Sequence, residues 1–413
     1  MANPNEIGGA QANRASQRGG APLGTSAPRN AGAPLRIGMI GAGFASKFHM
    51  ENFPAGKAVV VGVTSPRAES REAFARQFGI TAYASVEEML PHVDAVDICS
   101  PPSSHAHYMR LAAQAGIHII IEKPFTGFFG SPDLNSKQQM LDAVHAELAI
   151  LREEIVKSGV TLGYAENCVY APSVQKEREI VQKTKAQILR MQGEESHNGS
   201  HSPVYGIWSI QGGGSLIAKG CHALTPILYL KRAEGMARLG RPIRPATVSA
   251  RTHTITKLPG FEDRGFLRTT YQDTEDYALL HVVFDDGTVA DITASELVLG
   301  GIHDYVEVFA NNHRTRCHIS PVHVADVYSP SKDVTKDIYF VEKISTNEGW
   351  IPCPGNDNWA NGREGELTDI IGAIHEGRTP ECDLDLAIDT TLTLYAGYVS
   401  ADALGREVPV PLL

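Results

Sequence analysis

The chain has 413 residues, 42% of them hydrophobic, and a formal net charge of -10, more than one ordinary core needs and the apolar share of a globular protein. The acidic balance excludes nucleic acid as the main partner, because phosphate binding requires a basic face. No run is long and apolar enough to read as a membrane span. In residues 1–33 Gly, Ala, Asn, Ser and Pro dominate without an apolar stretch, which predicts a disordered tail rather than a secretion signal.

Residues 34–163 alternate strand and helix signals. Leu35 to Ile40 is an apolar run that leads into the turn Gly41-Ala42-Gly43-Phe44-Ala45-Ser46 and then into helical spacing. In that context a glycine pattern predicts a dinucleotide site: Gly41 permits the tight turn and Gly43 lets a pyrophosphate approach the helix N-terminus. Ser46 is small enough for helix–strand packing and offers a hydroxyl to phosphate. Strands are predicted at 58–63, 95–99 and 118–121, and helices at 68–78 and 105–114. Such alternation implies right-handed crossovers and a doubly wound parallel sheet of Rossmann type.

In an open sheet of this kind ligands bind beyond the carboxyl ends of the strands, so Ser65, Ser100-Pro101-Pro102 and Glu122-Lys123-Pro124 should line one crevice. Thr64-Ser65-Pro66-Arg67 closes the second strand with no acid until Glu69. Hydroxyls and an arginine suit a 2′-phosphate, so the cofactor is NAD or NADP, with NAD favoured and tight retention considered. A helix over 138–156, longer than a crossover needs, should pack on its own sheet, cover the cofactor or meet another subunit. Lys123, at the end of a buried strand, should have its pKa lowered by desolvation and nearby positive charge.

The second half, 164–413, changes period. Residues 246–255, 275–284, 288–296 and 305–310 alternate as half-buried strands, with Asp285-Asp286-Gly287 as a hairpin turn. The expectation is an α+β domain with an open, largely antiparallel sheet, whose broad uncovered face favours a homo-oligomer. Helices over 364–375 and from about 384 should pack back on the first domain, with Trp359 and Asn361 at the pocket rim. Six scattered cysteines without Cys-x-x-Cys spacing predict reduced thiols, a cytoplasmic protein and no metal.

These motifs resemble the Gfo/Idh/MocA oxidoreductases, the glucose-fructose oxidoreductase and inositol dehydrogenase superfamily. The likeness rests on the glycine turn, on Cys99-Ser100-Pro101-Pro102 with His105, on Glu122-Lys123-Pro124, and on the block Gly212 to His222. It implies a cofactor site of Gly41, Gly43, Phe44, Ala45, Ser46, Ser65, Arg67, Ser100, Pro101, His105, Glu122 and Lys123. It makes Lys123 and His222 the catalytic pair, His222 accepting a hydroxyl proton as hydride leaves the same carbon. Asn167, Tyr170, Lys219 and His222 become substrate-binding candidates, and Glu166 could also reach sugar hydroxyls. A polar loop holding His197 and His201 should lie over the sugar site.

One departure stands out. The family pattern places aspartates four residues before and three after the histidine, where this chain has Ala218 and Thr225. Lys219 is next door but roughly 100° away on a helix, so it replaces the first aspartate only if the helix is distorted or has not begun there. Tyr164 to Tyr170, together with Lys219-Gly220-Cys221-His222, resembles a branch that oxidises glycosides at C3. The expected function is therefore hydride transfer from a sugar, glycoside or cyclitol hydroxyl to NAD(P). Redox-neutral glycoside cleavage through a 3-keto intermediate with retained NAD, and a non-catalytic NAD(P)-sensing regulator, remain open alternatives.

Overall fold

The computed structural model describes residues 32–413 apart from His201, Pro203 and Ser345; residues 1–31 of the tail expected over 1–33, and the His201 position in the polar loop, lie outside the described residues. The first sheet has six strands, β1 Leu35–Ile40, β2 Ala58–Thr64, β3 Thr81–Tyr83, β4 Ala95–Ile98, β5 His118–Glu122 and β6 Leu162–Ala165. They are ordered β3-β2-β1-β4-β5-β6 and every pairing is parallel. The order reverses between β1 and β4, which opens the crevice at the carboxyl ends of those strands. β4 is buried along its whole length, as expected for a parallel strand covered on both faces.

The crossover helices are α1 Phe44–Asn52, α2 Ala68–Phe78, the short α3 Val86–Met89, α4 His105–Gln114 and α5 Lys137–Ser158. Their ends follow local chemistry. Gly79 ends α2 in the left-handed region at φ +67, while α5 begins with a reciprocal Ser136/Gln139 capping box and stops at Gly159, φ +71. α5 buries Met140, Leu141, Val144, Leu148, Leu151 and Ile155 against α4 and a C-terminal helix. Packing within the chain thus accounts for its apolar stripe.

The second region runs through α6 Pro172–Thr184, β7 Ile188–Ser196, α7 Trp208–Gln211, α8 Ser215–Ala218 and α9 Gly220–Leu239. There follow β8 Pro245–His253, β9 Tyr277–Phe284, β10 Val289–Ser295, β11 His303–Ala310, β12 Arg314–Ser320, and the ribbon β13 Ala325–Ser329 with β14 Gly349–Cys353. The chain closes with α10 Asp357–Ala360, α11 Arg363–Glu376, α12 Leu384–Asp402 and β15 Val408–Pro409. The seven-stranded sheet is ordered β12-β11-β7-β10-β9-β8-β15; all its pairs are antiparallel except β7 with β10. The turn Asp285-Asp286-Gly287 closes the β9–β10 hairpin, with Gly287 at φ +81.

α9 packs on the inner face of this sheet at β7, β10 and β11; α12 lies against α5, α9 and β8, and α11 reaches α1 and β6. The C-terminal helices therefore fasten the second region to the first sheet. The outer face differs from the apolar patch expected. It carries the pair His281–Asp291 at 2.7 Å, Arg190 over the Phe309 ring and Glu307 flanked by Arg314 and Arg316, because alternation places polar residues outward on nearly every strand. Among the described residues no helix is long and apolar enough to cross a membrane. All six cysteines are free thiols.

Candidate active site

The cofactor crevice starts at the β1–α1 turn. Gly41 has φ +116, and a Cβ there would stand 2.8 Å from the Cys99 carbonyl oxygen, so only glycine fits against the end of β4. Gly43 caps α1, and a Cβ built on it meets no atom within 4 Å. Backbone amides at that helix end are thus open to an anion, which suits a pyrophosphate. Phe44 is exposed and packs edge-on against Phe48, with Ala45 half-buried beside it. Ser46 is a correction: it is fully buried and its hydroxyl donates to the Gly41 carbonyl at 3.0 Å, bracing the turn rather than facing phosphate.

Ser65 lies half-buried at the end of β2, its carbonyl accepting from Arg71 at 2.9 Å; Arg67 is exposed at the start of α2. Ser100 shares a 2.6 Å hydroxyl contact with Ser104 beside the exposed Pro101. His105 is also corrected. It has no exposed surface, and its ring bridges the Ser100 carbonyl at 2.8 Å to the Pro124 carbonyl at 3.0 Å, with burial pulling its pKa down. It ties the ends of β4 and β5 together and so shapes the crevice from behind.

Glu122 and Lys123 close β5, and the Lys123–Pro124 peptide is cis. Glu122 accepts from the Lys123 amide at 2.8 Å and meets His49 Nε2 at 3.1 Å; His49 Nδ1 in turn lies 2.7 Å from Asp97. Burial opposes the Glu122 charge, yet His49 and Lys123 hold its carboxyl down at about 2. Burial likewise opposes a charged His49, but Asp97 and Cys99 raise it well above its ordinary 6.5. Lys123 shows the reverse of the expected shift. Desolvation lowers its pKa, but Cys221 and the carboxylates of Glu122, Glu195 and Glu166 outweigh burial and raise it. Lys123 is therefore an ammonium donor.

Opposite this edge, α8 ends at Ala218 and α9 begins at Gly220, with Lys219 between them at φ -110, ψ -42. The helix is interrupted at the residue where a replacement for the missing aspartate required it. Lys219 is buried, with Nζ 3.7 Å from Glu195, 3.9 Å from Glu296 and over the Tyr205 ring. His222, on the first turn of α9, has Nδ1 2.6 Å from Glu166 Oε1 and Nε2 4.0 Å from Glu195 Oε2. A carboxylate can only accept, so Glu166 sets the Nδ1–H tautomer and leaves Nε2 free to take a proton.

Glu166 is thus a partner of the base rather than a reader of sugar hydroxyls. Asn167 is half-buried, and its amide donates to the Asn361 carbonyl at 2.7 Å. Tyr170 does not face the site: its hydroxyl donates to Asp369 and accepts from the Cys382 amide, both at 3.0 Å. Trp359 is exposed and Asn361 buried. His197 is buried near Glu195 and Glu296, and burial together with the lysines lowers its pKa. Reasoning from sequence missed His49, Asp97, Glu195, Glu296 and Asp304. The last is paired in register with Glu195 across β11 and β7.

Comparison with known proteins bears on the fold. The sequence model of the oxidoreductase family with NAD-binding Rossmann fold (GFO_IDH_MocA) matches residues 35–151. The UDP-N-acetylglucosamine 3-dehydrogenase of Acidithiobacillus ferrooxidans is 39% identical over 92 residues, 22% of this chain and 29% of that relative. The D-glucoside 3-dehydrogenase of Escherichia coli is 28% identical over 244 residues, 55% of this chain and 59% of the relative. The chain thus spans less than two thirds of either relative's length. The crystal structure of GenD2 from gentamicin A biosynthesis, in complex with NAD, shares the fold with a TM-score of 0.74 at 22% identity, over 92% of this chain and 98% of that one. Motifs, strand order and these likenesses together identify residues 35–151 as the NAD-binding Rossmann domain of that oxidoreductase family.

Proposed function

We propose that the protein oxidises a secondary hydroxyl of a sugar or glycoside, at C3, with Lys123 and His222 as the residues that handle the substrate oxygen. The observation that carries the reading is the oriented base: His222 Nδ1 is held by the fully buried Glu166 at 2.6 Å. Position 3 is favoured because two relatives that match this chain carry 3-dehydrogenase in their names. Gly41 and Gly43 would hold the dinucleotide, which when bound supplies the hydride acceptor that a sugar carbon needs.

A sugar hydroxyl has no acidic handle of its own. The Lys123 ammonium donates to its oxygen and stabilises negative charge as the C–H bond breaks, while His222 Nε2 accepts the hydroxyl proton. The resulting imidazolium is stabilised by Glu166, and Lys219 beneath it balances Glu195 and Glu296. Asn167 at the rim and the ends of β7 and β11 orient the ring. Self-association through the second sheet would be polar in character, made by the charged outer-face residues His281, Asp291, Arg314 and Arg316 rather than by an apolar patch.

The test is to denature purified protein, identify any released nucleotide, and incubate native protein with a glycoside panel while following reduced-nicotinamide absorbance. Reduction by a glycoside, with a 3-keto product, supports the reading, and the released nucleotide names the phosphate state of the cofactor. Aglycone release without net reduction would instead favour redox-neutral cleavage. Binding of the dinucleotide without reduction across the panel would favour a sensing regulator.

A further inference from the structure

We propose that Glu166, Cys168, His222 and Asp304 form a binding site for one divalent transition-metal cation of zinc type. The carboxylate, thiol and imidazole donors of Glu166, Cys168 and His222 all lie within 4.8 Å of one another and all three residues are buried. Cys168 Sγ is 3.6 Å from His222 Nδ1 and 3.3 Å from Asp304 Oδ2. Around a tetrahedral zinc with bonds of about 2.0–2.3 Å, ligand atoms stand about 3.3–3.8 Å apart. The Glu166–His222 contact is shorter, as a hydrogen bond held by a proton should be, and would open when a cation replaces that proton.

Unpartnered oxygens are the second observation. Glu166 Oε2 and Asp304 Oδ1 are buried without a hydrogen-bond partner, as is Glu195 Oε2 beside them, and these residues are 0%, 5% and 4% exposed. Like charges directly opposite one another in a sheet are destabilising, yet strand register sets Asp304 across from Glu195 with both on the inner face. A cation would satisfy the orphaned oxygens, and a mixed sulfur, nitrogen and oxygen donor set suits zinc better than magnesium or calcium.

The cofactor-side group His49, Asp97 and Cys99 has a similar composition but differs in the decisive respect. Both Asp97 oxygens already have partners, His49 and Cys99, and both Glu122 oxygens are bonded too. Nothing there remains for a cation to satisfy.

Coordination replaces the Cys168 S–H bond with a bond to the cation and releases that proton to solvent, while the His222 proton shifts from Nδ1 to Nε2 as Nδ1 takes the cation. The proton of the imidazole then resides on Nε2, so in the loaded protein His222 is a ligand and a different group must accept the substrate proton. The inference rests on the active-site reading above only in sharing His222 and Glu166 with it.

The test is metal analysis of the full chain purified with zinc in the buffer, followed by Zn²⁺ titration of stripped protein against a colorimetric chelator. We expect about one zinc per chain, and affinity lowered at least tenfold in Cys168→Ser and in Asp304→Asn, since loss of an outer-shell partner alone costs about 10–100-fold. Co²⁺ added to stripped wild-type protein should give a thiolate charge-transfer band that Cys168→Ser lacks, a readout that does not depend on how Asp304→Asn folds. No saturable zinc binding, or a cobalt spectrum without the thiolate band, overturns the proposal. Sugar oxidation by a protein that binds no zinc would remove this site and leave the functional reading standing. Stoichiometric zinc in a protein that oxidises no sugar would do the reverse.

Discussion

Two buried clusters lie near the ends of the strands, and they are built on opposite terms. On the cofactor side, His49 joins Asp97 and Glu122, and every oxygen of those two carboxylates has a partner. On the substrate side, Glu166, Glu195, Glu296 and Asp304 each leave one buried oxygen without one. A satisfied network rigidifies its surroundings, whereas a partly satisfied one stores a demand for something from outside. The first cluster fixes where Lys123 sits; the second waits for a proton, a substrate hydroxyl or a cation.

The difference can be broken at either end. The largest effect is expected from Lys123→Ala and His222→Ala, which should each lower kcat/KM about 10²–10⁴-fold while leaving dinucleotide affinity, followed by nucleotide fluorescence, nearly unchanged. Turnover close to wild type in either variant would remove that residue from its role. Glu166→Gln keeps the volume but no longer fixes the Nδ1–H tautomer, and should lower kcat by about 10²-fold or more, as steady-state kinetics would show.

His49→Leu strands Asp97 and Glu122 as buried charges and should lose about 3–5 kcal/mol of stability, measured by urea unfolding. The same network predicts a pH dependence. The Glu122 carboxyl lies at about 2 in the folded protein against an ordinary 4.5, so its stabilising contribution is complete above about 4.5 and is lost as pH falls toward 2. His49 has the opposite sign: its pKa is raised, so its contribution is complete below about 6.5 and fades as pH climbs through the raised value. Unfolding midpoints across pH should show both limbs, and His49→Leu should erase the alkaline one. The smallest effect belongs to the exposed Arg67, where Arg67→Ala should change the ratio of NADP to NAD affinity by less than about tenfold.

Much of the cofactor side was legible in sequence because its signals are local. Gly41 and Gly43 sit between a strand run and a helix run, and the predicted bounds of α2 and α4 match those observed at 68–78 and 105–114. The Asp285-Asp286-Gly287 hairpin was equally local. Strands β3, β7, β12, β13, β14 and β15 were not read, since short or polar stretches give weak alternation. The substrate-side acids were hidden for another reason: Glu195, Glu296 and Asp304 come from different strand ends and meet only through sheet register. A signal did exist, because Asp304 lies in phase with Val306 and Val308, and Glu195 with Met191 and Gly193. An acid on the buried phase of a strand is costly unless it has work to do. His49 was unread because a histidine within a helix looks ordinary until the ends of β4 and β5 enclose it. The Lys219 geometry depended on a helix break that no local propensity announces.

The most direct test of the central claim uses a methyl glycoside deuterated at C3, incubated with the full-length protein and NAD, with mass spectrometry on the recovered nicotinamide. The account predicts a single deuterium on the reduced nicotinamide ring and a 3-keto sugar, formed at a rate that collapses in Lys123→Ala and His222→Ala. Reduced nicotinamide without deuterium would move the oxidation to another carbon, and the absence of any reduction across a panel of such glycosides would contradict sugar oxidation at this site.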